Sequence, residues 1–312
     1  MTPTTTTTTT IANPARLAAD VVGPSVVQVG GEHRGRHGGR GGGIVIEPGA
    51  IVTNAHNLRG PEITVTFADG RRETGTVAGH DADGDLAVVT VDTGDAPVAA
   101  WGGTADLGEA VFTVSRLGDG GVRVTSGTVS ATGRTFRGPR GRQIRGSVEH
   151  TAPLGRGSSG SPIVDGDGRV VGLNTHRLGE GFYLALPADD ALRRRLTALA
   201  AGEIPVPRRL GIGLAPAHVA AKLRDSVGLP ARDGLLVRLV EEGGPGARAD
   251  LRRGDLIVAA GGTDVASVDD LHGAVDAVPA GESLTLGVVR GTDEVDIRVA
   301  FDEAEATGED NG

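Results

Sequence analysis

GRGSSGSPIVDGDGRVVGLNT, residues 155–175, sets serines among glycines and then runs into a β-type segment, RVVGLNT, at 169–175. The same alternation of short β-type runs and Gly-rich breaks extends back to Val21 and on to about Tyr183. It includes VVQV at 26–29, GIVIEPGAIVTN at 43–54, EITVTF at 62–67, TGTVAGH at 74–80, DLAVVTV at 85–91 and RVTSGTVSA at 123–131. Short strands at such regular spacing point to a sandwich or barrel. From Pro187 to Ala201 the period changes: Leu192, Leu196 and Leu199 recur at helical spacing behind the acids Asp189 and Asp190, which predicts an amphipathic helix. GEIPVPRR, with Pro205 and Pro207, reads as a stiff linker. Beyond it lies a smaller α/β mixture: LGIGLA at 210–215, GLLVRLV at 234–240, GDLIVAAGG at 254–262, a helix near Val268–Val278, and the strands SLTLGVV and VDIRVAF.

The chain of 312 residues is long enough for about two domains. With 38% hydrophobic residues, 52 glycines and only 2% aromatics, its cores are built of Val, Ile, Leu and Ala and its turns are frequent. Cysteine is absent, which excludes disulfides, thiolate metal sites and a cysteine nucleophile. Any covalent catalyst is therefore an oxygen or a nitrogen. Forty acids against 31 bases argue against a general phosphate-coating role. The acidity is uneven, since residues 208–312 hold 11 bases and 19 acids while 1–207 hold 20 and 21.

His56 follows the run IVTNA, Asp85 sits in DADGDLAVV, and Ser159 lies between Gly157 and Gly160. Acyl-bond hydrolysis near neutral pH needs a hydroxyl nucleophile, an imidazole to accept its proton and a carboxylate to fix the imidazole tautomer. All three beside turn signals, in the order His, Asp, Ser, is an arrangement that two-barrel proteases use. Each alone is as well read as a surface or capping residue.

The flanking words decide between these readings. TNAH, the Asp of DLAVV 29 residues later and the second Ser of GSSGSP 74 residues beyond that resemble the HtrA/DegP family of trypsin-like serine proteases. VTSGTVSATGR, SPIVDGDGRVVGLNT and GFYLALP extend the match, and the C-terminal segment resembles that family's PDZ domain. The resemblance implies a mainly β fold: a chymotrypsin-like double β-barrel protease domain at 21–201, a linker at 202–207 and a small α/β PDZ domain at 208–303. A disordered Thr-rich tail at 1–20 and an acidic tail at 304–312 complete the expected organisation. It further implies Ser159 as nucleophile, His56 as general base, Asp85 as orienting carboxylate, and the backbone amides of Gly157 and Ser159 as oxyanion hole. The specificity pocket would be walled by Leu154, His176 and Arg177, where the family has small or aliphatic residues at the last two; solvent-facing side chains are the alternative there. Ser158 and Ser161 depart from the family word GNSGGP, and Ser115-Arg116-Leu117 stands where GNP is common. In the PDZ domain, Leu210-Gly211-Ile212 resembles the loop that captures a peptide carboxylate, with Leu271, Val275 and Val278 either lining the groove or facing the core. Gly246 and Asp250 depart from the corresponding PDZ word, while GDLI is intact.

The expected activity is a serine endopeptidase acting on unfolded or damaged proteins through an acyl-enzyme, with C-terminal peptides as PDZ ligands. No cofactor or metal is expected. A non-enzymatic PDZ-bearing scaffold or holdase is the rival. Gly30–Gly43, with His33 and His37, reads as a flexible surface loop, because a His-x-x-x-His pair holds zinc only on a helix. Residues 134–145 carry five arginines and no acid; with Phe136 the only aromatic there, nucleic-acid binding is not expected, and the resemblance makes this an activation-region loop. A homotrimer is implied by the family alone, since the first aromatic is Phe67. No run approaches a membrane span, and MTPTTTTTTTIANPAR lacks a signal-peptide h-region. If the chain is complete, a cytoplasmic location is expected; family analogy suggests the cell envelope.

Overall fold

The computed structural model describes residues 13–30, 41–60, 62–117, 120–139, 141–203, 208–215, 219, 220, 222, 228, 232–279 and 281–301. The chain divides into two units, Met1–Pro205 and Val206–Gly312. In the first unit, β1 (Val26–Val29), β2 (Gly41–Glu47), β3 (Ala50–Thr53), β4 (Glu62–Thr66), β5 (Arg72–Asp81) and β6 (Leu86–Thr90) close a barrel in the order β1-β2-β3-β6-β5-β4. A second barrel, β10-β11-β12-β9-β8-β7, is made by β7 (Ala110–Arg116), β8 (Val122–Arg137), β9 (Gln143–His150), β10 (Pro162–Val164), β11 (Val170–Gly179) and β12 (Phe182–Pro187).

Each barrel has its own interior. Val27, Val29, Ile51, Val65 and Phe67 fill the first, and Val111, Val129, Ile163 and Val171 the second. A third cluster lies on their outer faces, where Val26, Ile44, Val52 and Val88 meet Phe112, Val164, Leu173 and Leu184. Burial on both faces explains why all four residues of β3 are buried and why such strands read as continuous apolar runs.

Two helices close this unit. Helix α1 (Pro14–Val22) starts at Asn13, whose side chain accepts from the Ala15 and Arg16 amides, with Pro14 at the first helical position. It buries Ala18 and Val22 beside β7 and β8. The tail expected at 1–20 is thus corrected over 14–20, where an Asn-Pro helix start precedes an i, i+4 apolar pair; residues 1–12 lie outside the described residues. Helix α2 (Asp190–Ala200) is capped by Asp189 and packs Leu192, Leu196 and Leu199 against β5 and β6, as their spacing predicted.

Two expected loops are also corrected. Gly41–Gly43 form the start of β2 and are buried, because β2 pairs with β1 and β3 there; 31–40, with both histidines, lie outside the described residues. The arginine-rich segment 134–145 is largely the end of the β8–β9 hairpin, with Phe136 paired to Ile144 and both buried. Two of its charges are answered by acids: Arg134 pairs with Glu149 of β9 at 3.1 Å and Arg142 with Asp83 at 3.3 Å.

The second unit is a sheet ordered β13-β14-β15-β17-β18, from β13 (Ile212–Ala215), β14 (Leu235–Val240), β15 (Leu256–Ala260), β17 (Ser283–Arg290) and β18 (Asp293–Ala300), with the short β16 (Thr263–Asp264) on β15. Among the described residues it is accompanied by α3 (Pro245–Arg248) and α4 (Val268–Asp276), and Val219, Ala220 and Lys222 are also helical. The α4 residues Leu271 and Val275 are buried in the core and Val278 packs on it, so they face inward. Both departures in this unit have a local cause. A Cβ at Gly246 would meet the Leu210 carbonyl at 2.7 Å. Asp250 adopts φ +64°, a conformation Asp tolerates, and its carboxylate bonds Arg252 and Arg290.

Leu199 is fully buried where α2 meets the first barrel. Leu199→Ala is therefore expected to lower unfolding free energy by about 2–5 kcal/mol, read from urea denaturation.

Candidate active site

The three residues singled out in the sequence come together where the two barrels meet. His56 lies in a short turn after β3, and Asp85 precedes β6; because β3 and β6 are neighbours, the two side chains converge. His56 Nδ1 is 2.9 Å from both Asp85 carboxylate oxygens, and the His56 amide donates to Oδ1 at 3.1 Å. Asp85 is 1% exposed and sits at φ +55°, held by Asn54, which donates from Nδ2 to its carbonyl at 3.0 Å. Nδ1 thus faces Asp85, and Nε2 has no protein partner among the described residues.

Ser159 comes from the second barrel, in the turn before β10. Its carbonyl accepts from the Gly42 amide at 2.7 Å and from Asn57 Nδ2 at 3.0 Å, which fixes the turn against the first barrel. Its hydroxyl donates to the Thr175 carbonyl at 3.4 Å rather than to His56. Among the described residues, neither the Gly157 nor the Ser159 amide has an acceptor. The positive φ values in this turn fall on Gly157, at +79°, and Gly160, at +87°, and not on Ser161. Ser161 therefore replaces the family glycine without left-handed strain, although its buried hydroxyl has no partner.

Several supporting residues had no role in the sequence reading. Thr175 donates to Asp85 Oδ2 at 2.6 Å, giving the carboxylate a second donor. Behind the serine turn, Asn174 accepts from the Gly160 amide with its carbonyl and donates from Nδ2 to the Ser161 carbonyl at 2.8 Å. Its Oδ1 faces His150 Nε2 at 2.9 Å, so His150 is the donor and Nδ1 is left unpartnered. Burial pushes the His150 pKa down to about 4, partly opposed by the Asn174 bond. Thr175 and Asn174 belong to the quoted LNT, but nothing in a sequence tells which neighbour a Thr hydroxyl or Asn amide will meet.

The pocket residues divide. Leu154 is buried, while His176 and Arg177 are exposed. His176 stacks on Phe136 at 5.6 Å, and Arg177 donates from Nη2 to the Leu154 carbonyl with its guanidinium 5.6 Å from the Tyr183 ring centre. His56 also lines a cavity bounded by Leu58, Val77, Ala78, Ala82 and Pro139. At Ser115-Arg116-Leu117, Arg116 bonds the carbonyls of Gly23, Val26 and Gly120. In the second unit, the Leu210 and Gly211 carbonyls accept from the Gly246 and Glu241 amides, while their own amides have no acceptor among the described residues. They precede β13, an edge strand.

A model described as "Trypsin-like peptidase domain" matches residues 41–173, and one described as "PDZ domain" matches 236–290. The putative serine protease HhoA of Synechocystis is 32% identical over 280 residues, covering 85% of this chain and 71% of that protein. A probable periplasmic serine endoprotease of the DegP-like type from Hahella chejuensis is 32% identical, covering 87% of this chain but 58% of its own length. The solved structure of the HtrA-type protease AlgW with decapeptide superposes with a TM-score of 0.71 at 22% identity, covering 93% of this chain and 99% of that one. The chain belongs to the HtrA/DegP family of trypsin-like serine endopeptidases bearing a PDZ domain. These matches set aside the reading as a silent scaffold. They also correct the cytoplasmic expectation, since relatives are named periplasmic. The physical clue was too narrow: the h-region argument concerned only where the given sequence starts. Among the described residues no helix is long and apolar enough to cross a membrane.

Two measurements test this site. Thr175→Val keeps the shape but removes a donor to a buried carboxylate; peptidase kcat is expected to fall about 10-fold or more, with stability lowered by about 1–3 kcal/mol and the fold retained by circular dichroism. His150 stays neutral in the folded state down to about pH 4, whereas the unfolded chain protonates it near 6.5. Its contribution is therefore complete above pH 6.5 and is lost as pH falls towards 4, by roughly 3 kcal/mol. Tm should decline over that window more steeply in the wild type than in His150→Gln.

Proposed function

We propose that Ser159 attacks the peptide carbonyl, His56 takes its proton at Nε2 and returns it to the leaving amine, and Asp85 orients and stabilises the imidazolium. For this the Ser159 hydroxyl turns from the Thr175 carbonyl towards His56. The amides of Gly157 and Ser159, free among the described residues, receive the developing oxyanion, a device worth about 3–4 kcal/mol per donor. The observation that carries this reading is the doubly supported Asp85 carboxylate, 2.9 Å from His56 Nδ1 and 2.6 Å from Thr175, facing a serine turn bonded across the barrel seam.

In the same reading the protease domain runs to 201 and includes helix α1 from Pro14, 202–207 is the linker and 208–303 the PDZ domain; 204–207 and the expected tail at 304–312 lie outside the described residues. Unfolded polypeptides are the substrates, and Leu154, His176 and Arg177 border the side chain that precedes the cut. The free amides of Leu210 and Gly211, continued by Ile212, receive a peptide's terminal carboxylate while the peptide adds to the edge strand β13. The periplasmic relatives favour a place in the cell envelope.

Purified protein is expected to cleave casein, and Ser159→Ala and His56→Ala each to lower the rate by several orders of magnitude with unchanged circular dichroism. Undiminished cleavage by Ser159→Ala overturns the assignment.

A further inference from the structure

We propose that Arg177 makes this enzyme select an acidic residue, Asp or Glu, as the one whose carbonyl is attacked; the inference rests on Ser159 as nucleophile and deepens that reading. Two segments bound the space beside the Ser159 hydroxyl. One is Leu154–Ser158, which leads directly into the nucleophile. The other is the part of β11 from Thr175, whose carbonyl holds that hydroxyl at 3.4 Å, to Arg177. Arg177 joins the two by donating to the Leu154 carbonyl. Its guanidinium therefore borders the space that the substrate side chain enters.

That guanidinium is under-used. It offers five N–H groups in a planar fork, and the protein acceptor it has is a neutral carbonyl. Tyr183 supports it at 5.6 Å, which braces the plane without consuming its hydrogens. No carboxylate among the described residues pairs with it, nor with Arg123, which lies against Gly155, nor with Arg156. By contrast Arg134, Arg142 and Arg195 are paired, with Glu149, Asp83 and Asp81. Unanswered positive charge is thus gathered along the segment leading to the nucleophile.

A substrate carboxylate there accepts charge-assisted, bidentate bonds that a neutral carbonyl does not match. An aliphatic side chain would cover the guanidinium without bonding it, and a lysine would meet like charge. Sites built to hydrogen-bond a polar group discriminate strongly against analogues that lack it.

The test uses the full-length protein and a set of fluorogenic peptides identical except for Glu, Asp, Val or Lys at the residue before the cut. Expected is a kcat/KM for Glu at least ~10-fold above Val, with Lys lowest. In Arg177→Leu the order of Glu and Val should reverse, and in Arg177→Lys the Glu preference should survive in part through a raised KM. Mass spectrometry of casein digests should show the same shift in cut sites. Casein cleavage that depends on Ser159 but shows no acidic preference, or the same preference in Arg177→Leu, overturns this inference and leaves the catalytic reading standing. Loss of all cleavage in the wild type overturns the catalytic reading itself.

Discussion

Everything at the site depends on how closely two backbone segments approach across the barrel seam. The Gly42 amide bonds the Ser159 carbonyl at 2.7 Å, and a Cβ at Gly160 would meet the Gly42 carbonyl at 2.3 Å. A Cβ at Gly42 would in turn collide with the Ser161 side chain and come within 2.9 Å of its amide. Only glycine on both sides admits this contact, and Gly160 must also hold a left-handed conformation. The contact places a serine of one barrel against a histidine and an aspartate of the other. Neither barrel alone contains a complete set.

The seam is stiffened by a buried polar layer. Thr53 donates to the Gly42 carbonyl at 2.7 Å, and Asn57 bridges Thr53 and the Ser159 carbonyl. On the far side, Asn174 and His150 hold the Gly160–Ser161 backbone. This layer is not fully satisfied, since the Ser161 hydroxyl, His150 Nδ1 and Asn54 Oδ1 are buried without partners. Unsatisfied buried groups cost stability. Their concentration around Ser159 and Asp85, together with the positive φ of Asp85, fits a site where geometry is maintained at the expense of local stability.

The second unit is built differently. One buried pair organises its turns: Asp255, 1% exposed, receives Arg290 at 2.8 and 2.9 Å, while Arg290 also reaches the Asp250 carbonyl. Charge here ties a hairpin to a loop, whereas in the first unit arginines with no carboxylate partner among the described residues gather near Ser159. The net acidity of the chain conceals that local contrast.

Composition and pattern were sufficient for the β-rich plan, for α2 and for bringing forward His56, Asp85 and Ser159 as the candidates that the fold then gathers at one seam, because these follow from local period and from short words that keep their order. The helix at 14–22 was also written locally, in Asn13-Pro14 followed by Ala18 and Val22, and was hidden by its Thr-rich surroundings. Other features were not local. Gly41–Gly43 looks like a flexible loop in sequence and becomes a buried strand start, because it pairs with β1 and β3 and because Ser161, 119 positions away, takes the space beside Gly42. Arginines 134–145 look like a free basic loop until Glu149 from strand β9 and Asp83 from the β5–β6 turn pair with Arg134 and Arg142. Roles for Asn57, His150, Asn174 and Thr175 depend on which atoms lie within about 3 Å of them. The sequence determined which groups the chain possesses and where it turns; tertiary structure decided which groups meet, because hydrogen bonding and close packing act across space between residues whose separation along the chain carries no such information.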